Sequence, residues 1–355
     1  MKLALIKFMN LRKIQDIDVK DKKILLRVDF NVAVEKGKVK ENFKIAAVKE
    51  SLDYLLNRNC KIALLSHFGR PNGKVDMEFS LAQIRNDVEE ILGVKIKFVD
   101  DCIGEKVKNG LDNLIAGEIL LLENVRFYSG DESNDEKFTE QLTENFDIFI
   151  NDAFSVCHRD QASVTGMAKF LPSCAGFRLL EEIHEMTIIK DHPISPAIAI
   201  IGGAKIETKL PVIKFFEKKY DYILVGGKIA NEALDQKIKF SKKVILPFDF
   251  VDDQLDIGPK TLEKFKEIIS GAKTIVWNGP TGKFEDEKYA VSSNEILKAI
   301  LVSGAYTVVG GGETLEILEK NYAMEKIDFV STGGGAMLDY LAGNKMPGIE
   351  VLRSN

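Results

Sequence analysis

The second half of this chain contains six short apolar runs, and four of them end in clustered glycines. The clusters begin at Gly202, Gly226, Gly310 and Gly333, and a fifth run ends in Asn278-Gly279-Pro280. Amphipathic helical stretches separate the runs, which is typical of a parallel sheet with crossover helices. Because both faces of such a sheet are covered, its strands are continuous apolar runs. The pattern therefore predicts an α/β fold.

The first half repeats this layout but places different residues after the runs. Its apolar runs end in Asp29-Phe30-Asn31, His67-Phe68-Gly69-Arg70, Asn124-Val125-Arg126 and Asn151-Asp152. Ligands of a parallel α/β sheet bind at the carboxyl ends of the strands. A glycine-lined mouth suits phosphates, whereas a mouth of arginine, histidine and carboxamide suits a small anion. We therefore expect a two-substrate enzyme that binds a nucleotide on one side and an acid on the other.

The expected elements of the first half alternate regularly. Strands are expected near 23–28, 61–66, 96–99, 118–122 and 146–150, with helices at 44–57, 80–92 and 134–144. Pro172 and Gly176 break this pattern, and a charged helical stretch follows at 179–190, before Pro193 and Pro196. This stretch is the predicted connector, and a second domain is expected to begin near Pro196.

Length, composition and charge limit the class of protein. A chain of 355 residues is too long for one ordinary core, so two domains are expected. A hydrophobic fraction of 45% and a charged fraction of 29% describe a soluble globular protein. The net charge of -5 argues against general affinity for nucleic acid, and no apolar stretch approaches the roughly 20 residues of a membrane span.

The cysteines and the start of the chain favour the cytoplasm as the compartment of this protein. The four cysteines have no metal-binding spacing, which predicts reduced, buried thiols in a cytoplasmic protein. The stretch from Met1 to Asn10 is too short and too interrupted for a signal peptide.

The first glycine cluster turns from a strand into a helix. Glycines let backbone N–H groups approach an anion, and the helix start adds partial positive charge. Lys205 and Lys209 are four residues apart, so we expect them on one helical face, where they suit a polyphosphate. The alternative is a tight turn with solvated lysines. The segment is neither a Walker A loop nor a GxGxxG motif.

Other loops of the second half point to the same chemistry. Ser331–Ala336 opens the last long helix and offers another anion-binding nest. Glu313 lies at a third strand end, where its carboxylate could hold Mg²⁺ together with phosphate oxygens. Glu285 could accept from a ribose hydroxyl, although on its own it also fits a surface carboxylate. Several such loops at neighbouring strand ends are more specific than any one of them.

Five basic side chains of the first half fall at or just beyond predicted strand ends: Arg70, Arg126, Arg159, His67 and His158. Guanidinium groups bind carboxylate or phosphate through two hydrogen bonds. Asp29 and Asn31 could bond a substrate hydroxyl, although Asp29 also fits a helix cap or turn. His67 fits a core histidine as well as a ligand contact, and its neighbour Arg70 favours the contact.

Seven motifs together resemble phosphoglycerate kinase: Arg27–Val32, Ser66–Pro71, Leu121–Phe127, Asn151–Phe154, Gly202–Lys205, Trp277–Pro280 and Ser331–Ala336. They follow the order of that family from residue 23 to residue 348. The resemblance implies reversible transfer of the acyl phosphate of 1,3-bisphosphoglycerate to Mg-ADP, giving 3-phosphoglycerate and ATP, a step of glycolysis and gluconeogenesis. It implies Mg²⁺ as cofactor, a cytoplasmic monomer, and no nucleic-acid or membrane partner.

The resemblance also implies two similarly sized Rossmann-like parallel-sheet domains, each with three αβα layers, joined by a hinge helix. Residues 1–175 would bind 3-phosphoglycerate, 176–195 would form the hinge, and 196–339 would bind the nucleotide. The tail 340–355 would pack back on the first domain. Phosphoryl transfer needs alignment, charge neutralisation and exclusion of water, which closure about a hinge supplies.

The family's functional residues carry over to matching positions. The implied phosphoglycerate-binding residues are Asp29, Phe30, Asn31, Lys44, His67, Phe68, Gly69, Arg70, Arg126 and Arg159. The implied nucleotide-binding residues are Gly203, Lys205, Lys209, Gly227, Asn278, Pro280, Glu285, Gly311, Gly312, Glu313, Thr314, Gly333 and Gly334. Lys44, Lys205 and Lys209 would be catalytic, and Glu313 would hold the metal.

Three positions depart from the family. Lys44 replaces an arginine, which keeps the charge but loses the planar fork, and the loss of such a contact costs about 2–4 kcal/mol in a transition state. Glu313 replaces an aspartate, and Lys228 replaces a glycine on the nucleotide side. These changes leave open the choice between ADP and GDP. They also leave the alternative of a weakened or non-catalytic paralogue, and the fold alone leaves open a kinase for a different small acid.

Overall fold

The apolar runs form the strands of two parallel sheets in the computed structural model, which describes residues 10–35 and 37–354. The chain divides into two compact units. Among the described residues, unit 1 contains 10–184 and 345–354, and unit 2 contains Glu185–Asn344.

Unit 1 contains a six-stranded parallel sheet in the order β5-β6-β4-β1-β7-β8. A short antiparallel hairpin, β2 with β3, accompanies it. The strands are β1 Lys23–Arg27, β2 Val34–Glu35, β3 Lys38–Val39, β4 Lys61–Leu65, β5 Lys95–Val99, β6 Glu118–Leu122, β7 Ile148–Asn151 and β8 Ser173–Ala175. The helices are α1 Phe43–Ala46, α2 Lys49–Leu56, α3 Arg85–Leu92, α4 Gly104–Asp112, α5 Ser129–Glu132, α6 Glu136–Thr143 and α7 Phe177–Asp191, which continues into unit 2.

The sheet of unit 1 is buried on both faces because neighbouring residues of each strand point to opposite sides. Leu26 and Leu64 belong to one hydrophobic cluster, whereas their neighbours Leu25 and Leu65 belong to a second. Helices cover both clusters, which gives the three αβα layers that the continuous apolar runs predict.

Unit 2 has the same architecture, with its parallel strands in the order β11-β10-β9-β14-β15-β16. An antiparallel hairpin, β12 with β13, lies beside it. The strands are β9 Ala197–Ile201, β10 Tyr222–Val225, β11 Val244–Ile245, β12 Phe250–Val251, β13 Asp256–Ile257, β14 Thr274–Asn278, β15 Tyr306–Gly310 and β16 Phe329–Ser331. The helices are α8 Ile206–Lys219, α9 Gly227–Asp235, α10 Pro259–Ser270, α11 Val291–Val302, α12 Gly312–Lys320 and α13 Gly335–Ala342.

The predicted helix 44–57 forms two helices. Helix α1 ends at Ala46 and α2 begins at Lys49, and between them the Val48 N–H bonds Ile45 O, one residue short of the α-helical spacing. The predicted helix 80–92 similarly opens with a 3₁₀ turn, Leu81–Ile84, before α3.

The predicted connector 176–195 is largely covered by α7, and the division between the units falls inside this helix, after His184. The chain rejoins unit 1 from Lys345, five residues later than the predicted tail. A further helix, α14 Pro347–Glu350, lies in this tail. The Arg12 N–H bonds Leu352 O at 2.9 Å, so the tail is hydrogen-bonded to the start of the described chain.

The four cysteines, Cys60, Cys102, Cys157 and Cys174, are all buried and free, as the sequence predicts. Among the described residues, none of the helices has the length and apolar character needed to span a bilayer.

Asp152 is a buried carboxylate, and the effect of its burial on the free energy of folding can be tested. It is 2% exposed, and its Oδ1 accepts from the Leu179 N–H at 3.0 Å. Burial raises the pKa of Asp152 to about 6 although hydrogen bonds oppose the shift. Since an unfolded aspartate titrates near pH 4, folding becomes less favourable as the pH rises from about 4 through 6.

We expect Asp152→Asn to stabilise the protein relative to wild type at pH 8, by about 1–3 kcal/mol, and to do so less at pH 4. Urea unfolding at both pH values measures the difference. Asp18→Asn, at an exposed carboxylate, is the matched control. An Asp152→Asn effect that is equal at both pH values would contradict the assigned shift.

Candidate active site

Four adjacent strands of unit 1, in the order β6-β4-β1-β7, end at the same edge of the sheet. Register pairing places Arg27 of β1 opposite Leu65 of β4 and Asn151 of β7. The loops that follow these strands therefore converge, and they carry most of the basic residues that the sequence singles out.

A guanidinium cluster, Arg27, Arg126 and Arg159, lies at this edge. Arg27 is completely buried and Arg126 is 3% exposed. Burial, followed by the nearby charges of Arg159 and Arg27, lowers the pKa of Arg126 to about 10. Arg126 Nη1 donates to Gly69 O at 2.9 Å, whereas Nη2 is buried and bonds no described residue. Like charges held this close are suited to bind an anion.

His67 is a neutral member of the same site. Its Nδ1 lies 3.1 Å from Arg27 Nη2. A guanidinium only donates, so Nδ1 accepts and the proton of the neutral ring is on Nε2. Burial, followed by the charge of Arg27, holds the pKa of His67 well below its usual value. The ring is therefore a hydrogen-bond donor through Nε2, which suits a phosphate or carboxylate oxygen.

Asp29 and Lys44 form an ion pair beside this histidine. Lys44 Nζ lies 3.2 Å from Asp29 Oδ2 and donates to Asn31 O at 3.0 Å. Burial acts to raise the pKa of Asp29, but the charge of Lys44, together with smaller contributions that include the hydrogen bond from the Asn31 N–H, outweighs burial and holds the pKa below the usual range. Asn31 Oδ1 accepts from the Gly69 N–H at 2.8 Å. Asp29 is therefore an ionised acceptor, and Asn31 also fixes the loop after β4.

The remaining predicted residues of unit 1 differ in exposure. Arg70 is exposed, and its side chain makes no hydrogen bond or ion pair within residues 10–35 and 37–354. Phe30 and Phe68 pack in the hydrophobic core, so their side chains support the loops. Gly69 has a φ of 60°, and a Cβ there would overlap the ring of Phe79.

Two residues of this site were not singled out from the sequence. Arg27 ends an apolar strand, where a charge is easily read as a surface residue. Asn124 holds the loop after β4 in place, since its Nδ2 donates to Phe68 O at 2.6 Å and to Phe79 O at 2.9 Å. A polar residue at or just beyond the end of an apolar run is the signal that could have identified either.

The carboxyl ends of the unit 2 strands surround two cavities. The smaller, of about 310 Å³, is called the phosphate cavity here and is lined by Lys209, Asn278 and the first residues of α12 and α13. Helix α12 begins at Gly312 and α13 at Gly335. The first N–H groups of a helix lack intrahelical partners and carry partial positive charge. Two such helix starts and a lysine make an anion site.

Lys209 is the cation of the phosphate cavity. Its Nζ donates to Asn278 Oδ1. Burial lowers the pKa of Lys209 to about 8, against the opposing charge of Glu313. Lys205 is exposed and precedes α8 with an extended backbone, φ -135° and ψ 112°. Lys205 and Lys209 therefore do not share the helical face that their spacing predicted.

The larger cavity has a volume of about 400 Å³ and is called the second cavity. The predicted residues Gly203, Gly227, Pro280 and Glu285 line it, and Glu313 lines both cavities. Burial, followed by the charge of Glu285, raises the pKa of Glu313. The two cavities thus share a carboxylate on their common wall.

The glycines of the loops after β9 and β10 allow these loops to pack against the loop after β14. Gly203 N–H bonds Pro280 O at 3.1 Å, and Gly227 N–H bonds Thr281 O at 2.8 Å. These two N–H groups are occupied within the protein, whereas the starts of α12 and α13 line the phosphate cavity. Thr314 has a similar internal role, since its Oγ1 accepts from the Gly279 N–H at 2.7 Å.

The glycines of the last two loops have different positions. In the loop after β15, Gly311 precedes α12 with a φ of 101°, and in the loop after β16, Gly334 lines the phosphate cavity. Gly333 is buried, and its N–H bonds Ser331 Oγ at 3.0 Å. Gly333 therefore shapes the turn into α13.

The carboxylates between the two cavities fit Mg²⁺ that is bound together with a nucleotide. Within the described part of the chain, no three His, Cys, Asp or Glu side chains gather as a metal site. Mg²⁺ in nucleotide enzymes is commonly bound by one or two carboxylates together with phosphate oxygens. Glu313 and Glu285 provide such carboxylates beside the phosphate cavity.

An α/β unit with a buried anion site and another with adjoining phosphate and second cavities define a phosphotransferase that acts on two substrates. The sequence matches the profile of the family described as "Phosphoglycerate kinase" over residues 14–245 and 235–344. The chain belongs to the phosphoglycerate kinase family.

Relatives of this family match along nearly the whole chain. The phosphoglycerate kinase of Wolbachia sp. subsp. Drosophila simulans is 36% identical over 395 residues, which covers 97% of this chain and 99% of that protein. That of Moorella thermoacetica is 36% identical, with coverage of 96% and 98%. The crystal structure of the Pyrococcus horikoshii enzyme superposes with a TM-score of 0.87 at 28% identity, over 96% of this chain and 98% of that one.

A substitution at Gly202 tests the close contact between the loops after β9 and β14. A Cβ at this position would lie 1.9 Å from Pro280 O, a backbone atom that cannot move alone. We expect Gly202→Ala to destabilise the protein by about 1–3 kcal/mol, as measured by urea unfolding.

Gly312→Ala is the matched control, because a Cβ there meets no atom within 4 Å. Its unfolding midpoint is expected to stay close to that of wild type. Equal midpoints for the two variants would show that the loops are not packed as described.

Proposed function

We propose that this chain catalyses reversible phosphoryl transfer between 1,3-bisphosphoglycerate and ADP, giving 3-phosphoglycerate and ATP. The bond between the acyl oxygen and the phosphorus breaks, and a β-phosphate oxygen of ADP forms the new bond. The observation that carries the proposal is the position of Lys209 and Glu313 at the phosphate cavity, directly beside a second cavity of nucleoside size.

The proposed phosphoglycerate site is the guanidinium cluster with His67 and Asp29. Arg126 has a buried Nη2 that bonds no described residue, and it would bind the carboxylate or phosphate of the substrate. His67 would donate through Nε2. Asp29 is ionised, so it would accept from the substrate hydroxyl. Exposed Arg70 would add a further charge.

The proposed nucleotide site joins the two cavities of unit 2. The starts of α12 and α13 and Lys209 would bind the phosphate chain. Glu285 would contact the ribose. Glu313 would hold Mg²⁺, which when bound neutralises charge on the phosphate oxygens. Phosphoryl transfer needs no protein nucleophile, so these residues act by binding and by offsetting charge.

The proposed setting is the cytoplasm, and four free thiols support it, since thiols stay reduced there. A monomer that acts on small molecules, without nucleic acid or membrane, stays a prediction. Closure about the hinge likewise stays a prediction of the family resemblance.

Lys44 provides the sharpest test of this function. The assay measures turnover of Mg-ATP with 3-phosphoglycerate, coupled through the acyl phosphate to NADH oxidation. We expect wild type to turn over, Lys44→Arg to change kcat less than about tenfold, and Lys44→Met to lower it about 10²–10³-fold, as for the loss of one preorganised donor.

A silent wild type together with an active Lys44→Arg variant would overturn this expectation. It would identify a protein that has lost catalysis through this substitution while keeping its scaffold. Preference for another carboxylate by orders of magnitude in kcat/KM would instead assign a different acid substrate.

The pKa of Lys209, about 8, predicts an alkaline limit to nucleotide capture. The ammonium form predominates below pH 8 and is lost above it, so kcat/KM for the nucleotide should fall above about pH 8. The corresponding fall in kcat should lie at higher pH, because bound phosphates favour the protonated lysine.

A pH profile of both constants measures this effect. Lys209→Arg is the matched variant, since guanidinium stays charged in this range. Its kcat/KM is expected to stay level to higher pH than that of wild type. An unchanged alkaline fall in Lys209→Arg would assign the limit to another group.

A further inference from the structure

The second cavity of unit 2 is the end of the nucleotide site that would take the base, an assignment that rests on the proposed function. Three carboxylates, from Asp253, Glu285 and Glu313, line it and outnumber its two lysines, Lys228 and Lys283, which disfavours a phosphate chain. Leu255 and Phe284 add apolar surface. Carboxylates and apolar surface suit a ribose and a flat heterocycle, whereas the phosphate cavity has the N–H groups and the lysine.

Lys228 is an unusual residue for its place in the fold. It lies in the first turn of α9, where the helix dipole disfavours a positive charge. Its side chain is exposed and makes no hydrogen bond or ion pair within the described part of the chain. It lines the second cavity. A cation that lacks an internal partner and stands at an unfavourable position indicates a role toward a ligand.

The tip of the β12–β13 hairpin reaches the same cavity. Asp252, Asp253 and Gln254 have φ values of 27°, 31° and 64°, a left-handed backbone that non-glycine residues seldom adopt. The tip is held in place because Tyr289 OH donates to Asp252 Oδ2 at 3.1 Å and Asn231 Nδ2 donates to Gln254 O at 3.1 Å.

The hairpin tip thereby presents hydrogen-bond acceptors to the cavity. The Asp253 carboxylate makes no hydrogen bond or ion pair with any described residue. Asn231 Oδ1 is buried and is likewise without a partner among the described residues. The cavity wall therefore has ammonium donors from Lys228 and from Lys283, which also lines it, and two acceptors that no described residue uses.

The purine bases differ in how well they match these groups. An ammonium only donates, so it favours the O6 and N7 acceptors of guanine. Two acceptors are matched by the N1–H and 2-amino groups of guanine, whereas adenine has one amino group as its only donor. We propose that Lys228 makes this site select a nucleotide with a 6-oxopurine base, guanine above all, over adenine.

Three nucleotides separate the contributions. ATP and ITP differ at the 6-position and N1, and ITP and GTP differ only in the 2-amino group. We expect wild type to have a higher kcat/KM for GTP and ITP than for ATP, at fixed Mg²⁺ and 3-phosphoglycerate. Lys228→Met is expected to lower the GTP-to-ATP ratio about tenfold, the size of one base contact.

Two further variants make the test specific. Lys239→Met removes an exposed lysine outside both cavities, and its GTP-to-ATP ratio should equal that of wild type. Asp253→Asn should lower the GTP-to-ITP ratio, because a carboxylate is a stronger acceptor for the 2-amino group than a carboxamide. A wild type that prefers ATP, or a Lys228→Met variant with an unchanged ratio, would overturn the proposal.

Calorimetric binding of Mg-GDP and Mg-ADP separates this inference from the proposed function. If no nucleotide supports turnover, the proposed kinase activity fails, while tighter binding of GDP that is lost in Lys228→Met would still support base selection. If turnover occurs and both diphosphates bind wild type equally, the base inference fails and the kinase activity stands.

Discussion

The buried guanidinium at the end of strand β1 is the interaction on which the basic site of unit 1 depends. Arg27 has no exposed surface, and burial of an unpaired cation costs several kcal/mol. Its Nη1 donates to Val28 O and its Nη2 to His67 Nδ1. These bonds offset part of the cost, and they set the tautomer of His67. One charged residue thereby determines the direction in which a neighbouring ring can donate.

The two units use different groups to form sites that suit an anion. Unit 1 places several cationic side chains close together, and the pKa of Arg126 is lowered first by burial and then by the charges of Arg159 and Arg27. Unit 2 uses the ends of α12 and α13 with one lysine, and it keeps glycines where loops touch. Side chains can surround a compact acid, whereas backbone N–H groups suit an extended phosphate chain because they are fixed by the helix.

The central strands were predictable because apolar runs covered on both faces have few alternative structures. Strand β8 and the two hairpins were not predicted, since they span two or three residues and depend on neighbours for pairing. The motif loops were placed correctly at strand ends, but the partners of their atoms were not. Spacing cannot show that Gly203 N–H bonds Pro280 O, that Lys205 precedes its helix, or that Arg27 is buried.

The neutral state of His67 has a consequence for how the unit 1 site responds to a change in pH. The positive charge of the unit 1 site is carried by guanidinium groups, which stay protonated through the neutral range, and by Lys44, which is paired with Asp29. Histidine contributes only a dipole there, since its pKa is held well below the usual value. A site built this way offers a permanent positive charge. Moderate acidification of the surroundings leaves that charge unchanged.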